Sequence, residues 1–277
     1  MKPARTPLLV LAALASAALA CSLQEFLSTE PSPGLAGTEA AASPAAATQP
    51  GGPAQATEGP RRLELPATPT AFTVVGPNDP RAILDLANPH YFDYFDDPQD
   101  WFDYDNPQAT YRVEDGHLLG IDHQPVGGAI RWSFTSMQSG NTYAEVTATN
   151  GNCIEKDAVG FSIRLDPQIT PSGYALEVSC DGAWRFRILY PDRIRDLVEW
   201  TPSEAIHAGA HASNRLGIWA NQRVFVIFIN GVQVGDTTDE NYTYVMGYFT
   251  LYVQAAMTYD LRATFDDFAF WNIPRQQ

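Results

Sequence analysis

The sequence predicts an all-β domain, a sandwich of two antiparallel sheets, over residues 81–277 of a 277-residue chain. Three observations carry this reading. Short alternating runs, dense in aromatic and β-branched residues, are separated by turn signals, which is the pattern of half-buried strands. No long amphipathic helical stretch lies between them, so about ten strands have only each other to pack against, and two stacked sheets satisfy them. Asn230-Gly231 separates Val224 to Ile229 from Val232 to Val234, and Asn-Gly supplies the positive φ angles that a tight type I′ hairpin turn requires.

Each strand follows from its own pattern. Val113-Glu114-Asp115-Gly116-His117-Leu118-Leu119 is a hairpin about Asp-Gly, followed by runs at Tyr143 to Thr149, Ala158 to Leu165, Tyr174 to Ser179, Trp184 to Tyr190 and Arg215 to Trp219. After the Asn-Gly hairpin come Gly247 to Val253 and Ala263 to Trp271. Side chains alternate along a strand, so Phe249, Leu251 and Val253 are expected to face the core and Tyr248, Thr250 and Tyr252 to face outward. Phe225 to Ile229 is apolar on both faces, which predicts a central strand covered twice.

Ahead of this domain the composition is different. Residues 1–20 carry Lys2 and Arg5, then an apolar run from Leu8, then Ala18-Leu19-Ala20 before Cys21. That is a secretory signal, and its apolar run falls short of the roughly 20 residues that span a bilayer. Cys21 stands where bacterial lipoproteins carry the cysteine that is acylated, although Ala18 occupies the place where leucine is usual. An ordinary cleavage after Ala20 is the competing reading. Residues 21–62 are Ala, Pro, Thr, Ser and Gly with few large apolar side chains, a composition that cannot offset ordering entropy and suits a tether. Residues 63–80 are transitional, with a short extended stretch at Ala71 to Val75.

Of three cysteines, setting Cys21 aside leaves Cys153 and Cys180, an even pair in an exported domain, and a disulfide follows. Their spacing, and five histidines without a ligand pattern, argue against zinc. The formal charge of −15 repels nucleic acid and anionic lipid headgroups, so membrane contact is expected through the lipid anchor alone.

"FDYFDDPQDWF" from Phe92, "YRVEDGHLLG" from Tyr111, "NRLGIWANQRVFVIFINGVQVGD" from Asn214 and "ATFDDFAFWNI" from Ala263 occur in an order that resembles concanavalin A-like lectin/glucanase domains, especially the laminin-G-like and keto-disaccharide hydrolase-like branches. The resemblance runs from Tyr91 to Ile273 and implies a jelly-roll sandwich. It says little about activity, because lectins, adhesion modules and hydrolases share the fold.

Glucanases of this fold carry Glu-x-Asp-x-x-Glu on one strand, which sets a nucleophile and an acid in one cleft. That motif is absent here. Glu145 and Glu177, on strands expected to be neighbours, are a candidate catalytic pair, and outward Arg164, Arg185 and Arg187 offer them salt bridges instead. His207 and His211 lie in a loop without a nucleophile partner. Sugar binding needs flat aromatic platforms beside hydrogen-bonding groups, and Tyr248, Tyr252, Trp184, Tyr190 and Trp200 are the candidates, with core packing as the alternative for each. Asp96 and Asp97, with Asp266 and Asp267 on the closing strand, offer hard oxygen ligands for calcium, or else simply form turns and guard sheet edges.

These residues point to a surface-anchored, non-catalytic module that binds glycan or another extracellular polymer. A glycoside-active hydrolase on the same fold and a structural or adhesion domain without a small ligand are the alternatives. The missing glucanase motif favours binding over hydrolysis, and enzymatic activity stays open.

Overall fold

The computed structural model describes residues 78–126, 130–166 and 172–274. The expected signal, Cys21, the expected tether and residues 63–77 of the transitional segment lie outside the described residues. A 3-10 turn at Pro80–Ile83 leads into fifteen strands. They are β1 (Tyr91–Asp93), β2 (Tyr104–Asp105), β3 (Ala109–Glu114), β4 (His117–Asp122), β5 (Arg131–Ser139), β6 (Thr142–Asn150), β7 (Ala158–Asp166), β8 (Ser172–Ser179), β9 (Ala183–Leu189), β10 (Ile194–Pro202), β11 (Ser213–Asn221), β12 (Val224–Ile229), β13 (Val232–Thr238), β14 (Gly247–Gln254) and β15 (Leu261–Asn272).

All pairings are antiparallel. A nine-stranded sheet runs β13-β12-β11-β6-β15-β4-β3-β2, with β1 also on β15, and a six-stranded sheet runs β10-β9-β8-β7-β14-β5. The two-sheet sandwich is therefore as the alternation predicts. Asn230 and Gly231, with φ of 51° and 80°, make the β12–β13 turn, and Asp115 and Gly116, at 53° and 76°, make the β3–β4 turn.

Alternation also decides what lies between the sheets. Phe161, Leu176, Phe186, Phe249, Leu251 and Val253 come from the smaller sheet, and Val146, Ile218, Ile227, Phe265 and Phe268 from the larger. Each such side chain, fully buried, contributes about 2 kcal/mol to the fold. The disulfide Cys153–Cys180 forms, tying the loop before β7 to the end of β8.

One strand sits differently from its expectation. β12 is covered on both faces, but it lies one place in from the edge rather than at the centre. Its outward Val226 and Phe228 join Tyr143, Trp219, Trp271 and Ile273 in a second apolar cluster, against which Leu84 and Leu86 pack. Arg81 locks that cover down. It is 1% exposed, its guanidinium carbon lies 3.8 Å from the Phe228 ring centroid, and Nη2 donates to Asp79 Oδ2 at 2.7 Å and to the Gly231 carbonyl at 3.0 Å.

Candidate functional site

The register of the six-stranded sheet decides which side chains share its outer face, because directly paired residues point the same way. One row reads Trp132, Tyr252, Gly160, Glu177 and Arg185 across β5, β14, β7, β8 and β9. The next reads Phe134, Thr250, Ser162, Ala175, Arg187 and, on β10, Asp196. Small residues in the middle strands make a trough, and Tyr252 lies in it.

The Tyr252 hydroxyl crosses β7 and donates to Glu177 Oε1 at 2.7 Å. The same oxygen accepts from Arg187 Nη1 at 2.7 Å, and Arg185 binds the other oxygen. Arg187 Nε continues to Asp196 Oδ1 at 3.1 Å. Burial and then the Glu177 charge push the Tyr252 phenol far above its ordinary value. Burial alone would lower the Arg187 pKa, but the Glu177 charge, followed by Tyr252 and Asp196, outweighs it and the net shift is upward. The centre of this face is thus a closed polar network, with Tyr252 and Glu177 both at 0% exposure.

Glu145 is not part of it. It lies on β6, on the outer face of the other sheet, where Tyr143 Oη donates to its Oε2 at 2.6 Å and Arg215 Nη2 to its Oε1 at 2.6 Å. The sandwich core separates the two glutamates, so they cannot share a cleft, and the expected candidate catalytic pair does not exist. Salt bridges are what both form, with Arg185 and Arg187 as anticipated and Arg215 unanticipated. Arg164 does something else: its guanidinium donates to the carbonyls of Gly140, Gln222 and Tyr244.

The expected aromatic platforms fare unequally. Trp184 is in the core, and Tyr252, though on the outward face, has no exposed surface. Neither can stack a ligand. Trp200 carries the guanidinium of Arg185 at 4.3 Å from its ring centroid and Lys156 Nζ at 4.9 Å, and Tyr190 carries Arg193 at 4.3 Å. Tyr248 is half-buried and meets Phe134 edge-on at 6.3 Å.

The calcium set also comes apart. Asp97 caps a turn by accepting from the Gln99 amide at 2.9 Å, and Asp96 is exposed. Asp266 and Asp267 form a bulge in β15, where the strand passes from pairing with β4 to pairing with β1. Asp266 accepts from the Asp267 amide at 2.7 Å, and burial followed by the Asp266 charge raises the Asp267 pKa. Among the described residues no three His, Cys, Asp or Glu side chains converge to hold a metal ion.

What the sheet face does offer is at its β5 edge. Phe102, Tyr104, Asn106, Ile130, Arg131, Trp132 and Phe134 line an open groove of about 600 Å³. Its walls belong to both sheets, with Tyr104 on β2 and Trp132 and Phe134 on β5. Phe102 bridges them, stacked on Phe134 at 5.0 Å and 20° and tilted against Tyr104 at 5.4 Å. Phe102 is half exposed, and Tyr104, Trp132 and Phe134 keep part of their surface open. Asn106 spends its Oδ1 on the amides of Gln108 and Ala109, which leaves its amide nitrogen as a donor. Burial, opposed by Arg131 and aided by Asp122, pushes the Tyr104 phenol up to about 12, so it is a neutral donor at physiological pH. A small, mostly apolar concavity with a few convergent polar groups is the ordinary form of a ligand site. The two segments "WFDYDN" and "IRWSF" carry it, and the alternation of Ile130, Trp132 and Phe134 was its only signal in the sequence.

A second polar chain lies nearby. Thr110 Oγ1 donates to Asp105 Oδ1 at 2.6 Å and is 3.0 Å from His123 Nε2, while His123 Nδ1 is 2.5 Å from Asp260 Oδ1. This resembles a hydroxyl–imidazole–carboxylate relay, but the Thr110 proton is committed to Asp105, which an activated nucleophile's would not be.

No protein-family profile matches the chain, and no curated protein does. Solved structures match the fold. A β-glucanase of Bacillus licheniformis is similar at 9% identity and a TM-score of 0.50, over 66% of this chain and 98% of that one. Carbohydrate binding module CBM66 from Bacillus subtilis is similar at 16% identity and a TM-score of 0.49, over 64% and 98% of the respective chains. A prokaryotic β-1,3-1,4-glucanase from a mouse hindgut metagenome is similar at 14% and 0.49, over 67% and 100%. The sandwich is the concanavalin A-like jelly roll that the sequence motifs resemble.

Proposed function

We propose that this chain is a non-catalytic glycan-binding module, displayed outside the cell through acylated Cys21 and the spacer of residues 21–62. The observation that supports it most is the open groove at the β5 edge, where four partly exposed aromatic side chains stand beside Arg131 and Asn106. A sugar ring presents an apolar face ringed by hydroxyls, and such a groove meets both at once. The likeness to a β-glucanase contributes the scaffold only. Hydrolysis by the usual route needs a second carboxylate within about 5 to 9.5 Å of the first, and Glu177 instead has both oxygens occupied by Arg185, Arg187 and Tyr252.

The test is a glycan array probed with the purified chain in detergent, followed by product analysis on every glycan retained. Retention without cleavage, lost in Trp132→Ala, is the expected result. Cleavage would overturn the non-catalytic reading, and retention unchanged in Trp132→Ala would overturn the groove. For display, Cys21→Ser is expected to abolish incorporation of labelled fatty acid, and a protein that never incorporates it would remove the anchor from the proposal.

A further inference from the structure

We infer that the β5-edge groove selects neutral glycans over acidic ones and that Arg131 is the residue that reads their hydroxyls. This rests on the groove being the glycan site and adds the substrate class and the side chain that sets it.

Arg131 opens β5 and lines the groove beside Trp132 and Phe134. Its Nη1 is buried and has no hydrogen-bond partner, an uncommon state for a group whose donors are normally satisfied. The carboxylate beside it, Asp122 Oδ1, lies at 3.6 Å, near enough to balance its charge and too far to accept a hydrogen bond. Asp122 is itself occupied, since its Oδ2 accepts from the Ala255 amide at 2.9 Å and its Oδ1 from the Gln124 amide at 3.4 Å. Nη1 itself is closed off by its burial, but the side chain as a whole is 23% exposed and its other guanidinium nitrogens make no hydrogen bond among the described residues, so the site combines unspent donors with a cation already neutralised.

That combination discriminates. A uronate would bring a negative charge to a guanidinium already compensated by Asp122, with exposed Asp103 and Asp105 close along the chain and a total charge of −15 around it. A pair of vicinal hydroxyls brings acceptors without charge and matches the planar fork of the guanidinium, while the sugar's apolar face meets Trp132 and Phe102. Asn106 adds a neutral donor on the opposite wall.

Affinity electrophoresis of the full chain tests this, through gels that hold neutral glucan, xylan, fructan or galactan, or the uronates polygalacturonate and alginate. Retardation is expected in at least one neutral gel, weakly dependent on salt, and absent in both uronate gels. Arg131→Gln and Arg131→Lys are each expected to weaken retardation about tenfold, the lysine because it keeps charge without the fork. Circular dichroism melts of both variants and of Val232→Ala, an exposed control on β13 at the edge of the nine-stranded sheet opposite β2, separate lost binding from lost folding. Stronger retardation by a uronate, or retardation by Arg131→Lys equal to the parent, overturns the inference. If Trp132→Ala also migrates like the parent, or no gel retards the chain, the groove reading itself fails along with it.

Discussion

The ring of Tyr252 lies flat on Gly160: a Cβ on the glycine would come within 2.0 Å of the tyrosine Cζ. Only a residue without a side chain lets the phenol cross β7 and reach Glu177. Gly160→Ala is therefore expected to destabilise by about 1–3 kcal/mol through overpacking. Urea denaturation measures it, and the double change with Tyr252→Ala should lose much less than the two single losses summed. A Gly160→Ala protein as stable as the parent would show that the ring has room to move.

Glu177 anchors two guanidinium groups on that face. Glu177→Gln leaves Arg185 and Arg187 without their shared anion, and breaking such a buried pair costs about 3 kcal/mol. The expected signature is a lower urea midpoint with an unchanged slope. A midpoint that does not move would mean the arginines find other partners.

Asp157 gives the acid response a definite sign. Its Oδ1 accepts from the amides of Ala256, Met257 and Thr258, and its Oδ2 from the Ile154 amide and the Thr258 hydroxyl. Burial raises its pKa, but the bonds to Thr258, Ile154, Met257 and Ala256 outweigh it and hold the carboxyl below its ordinary 3.8. A carboxyl lowered on folding stabilises fully above the unfolded value, and that stabilisation is lost as pH falls through the folded one. Buried Asp93 and Asp122 and half-buried Asp267 are shifted upward and run oppositely. The stability gap between the parent and Asp157→Asn should hold steady at pH 5–7 and narrow below pH 3.8. A gap constant to pH 2 would remove Asp157 from the acid response.

Reduction of Cys153–Cys180, which closes a loop with a sequence separation of 27, should cost about 3.5 kcal/mol on the chain-entropy model. Thermal melts with and without reductant measure it, with Cys153→Ala/Cys180→Ala as the control. An unchanged melting temperature would mean that the unfolded chain gains little freedom when the bond is cut.

The sandwich was legible because its central strands obey a simple rule, apolar inward and polar outward, and because Asn-Gly and Asp-Gly mark their turns. β5 breaks the rule. Its core-facing Ser133 and Thr135 are polar and buried while Trp132 and Phe134 point outward, so its alternation reads inverted and gives no signal of a core-facing strand. β10 is hidden in the sequence for another reason: irregularities at Asp196/Val198 and Val198/Thr201 disrupt its period. The groove depends on β5 and on two segments about thirty residues apart meeting where the sheets' edges converge, which no local pattern encodes. Glu145 and Glu177 look alike in sequence, since both stand outward on apolar strands, and only the strand order sends them to opposite sides of the molecule.

The Arg81 clamp has a mechanical side. A domain held from its N-terminus takes load through Asp79 and Arg81 before any strand is reached. The guanidinium is bonded to the Gly231 carbonyl in the β12–β13 turn and lies on Phe228, so a pull is spread into the nine-stranded sheet. Only after that grip fails would tension reach β1, whose three residues pair with Phe268, Ala269 and Phe270. Arg81→Ala should then lower the force at which the first few residues peel away, while leaving the force that ruptures the sandwich unchanged.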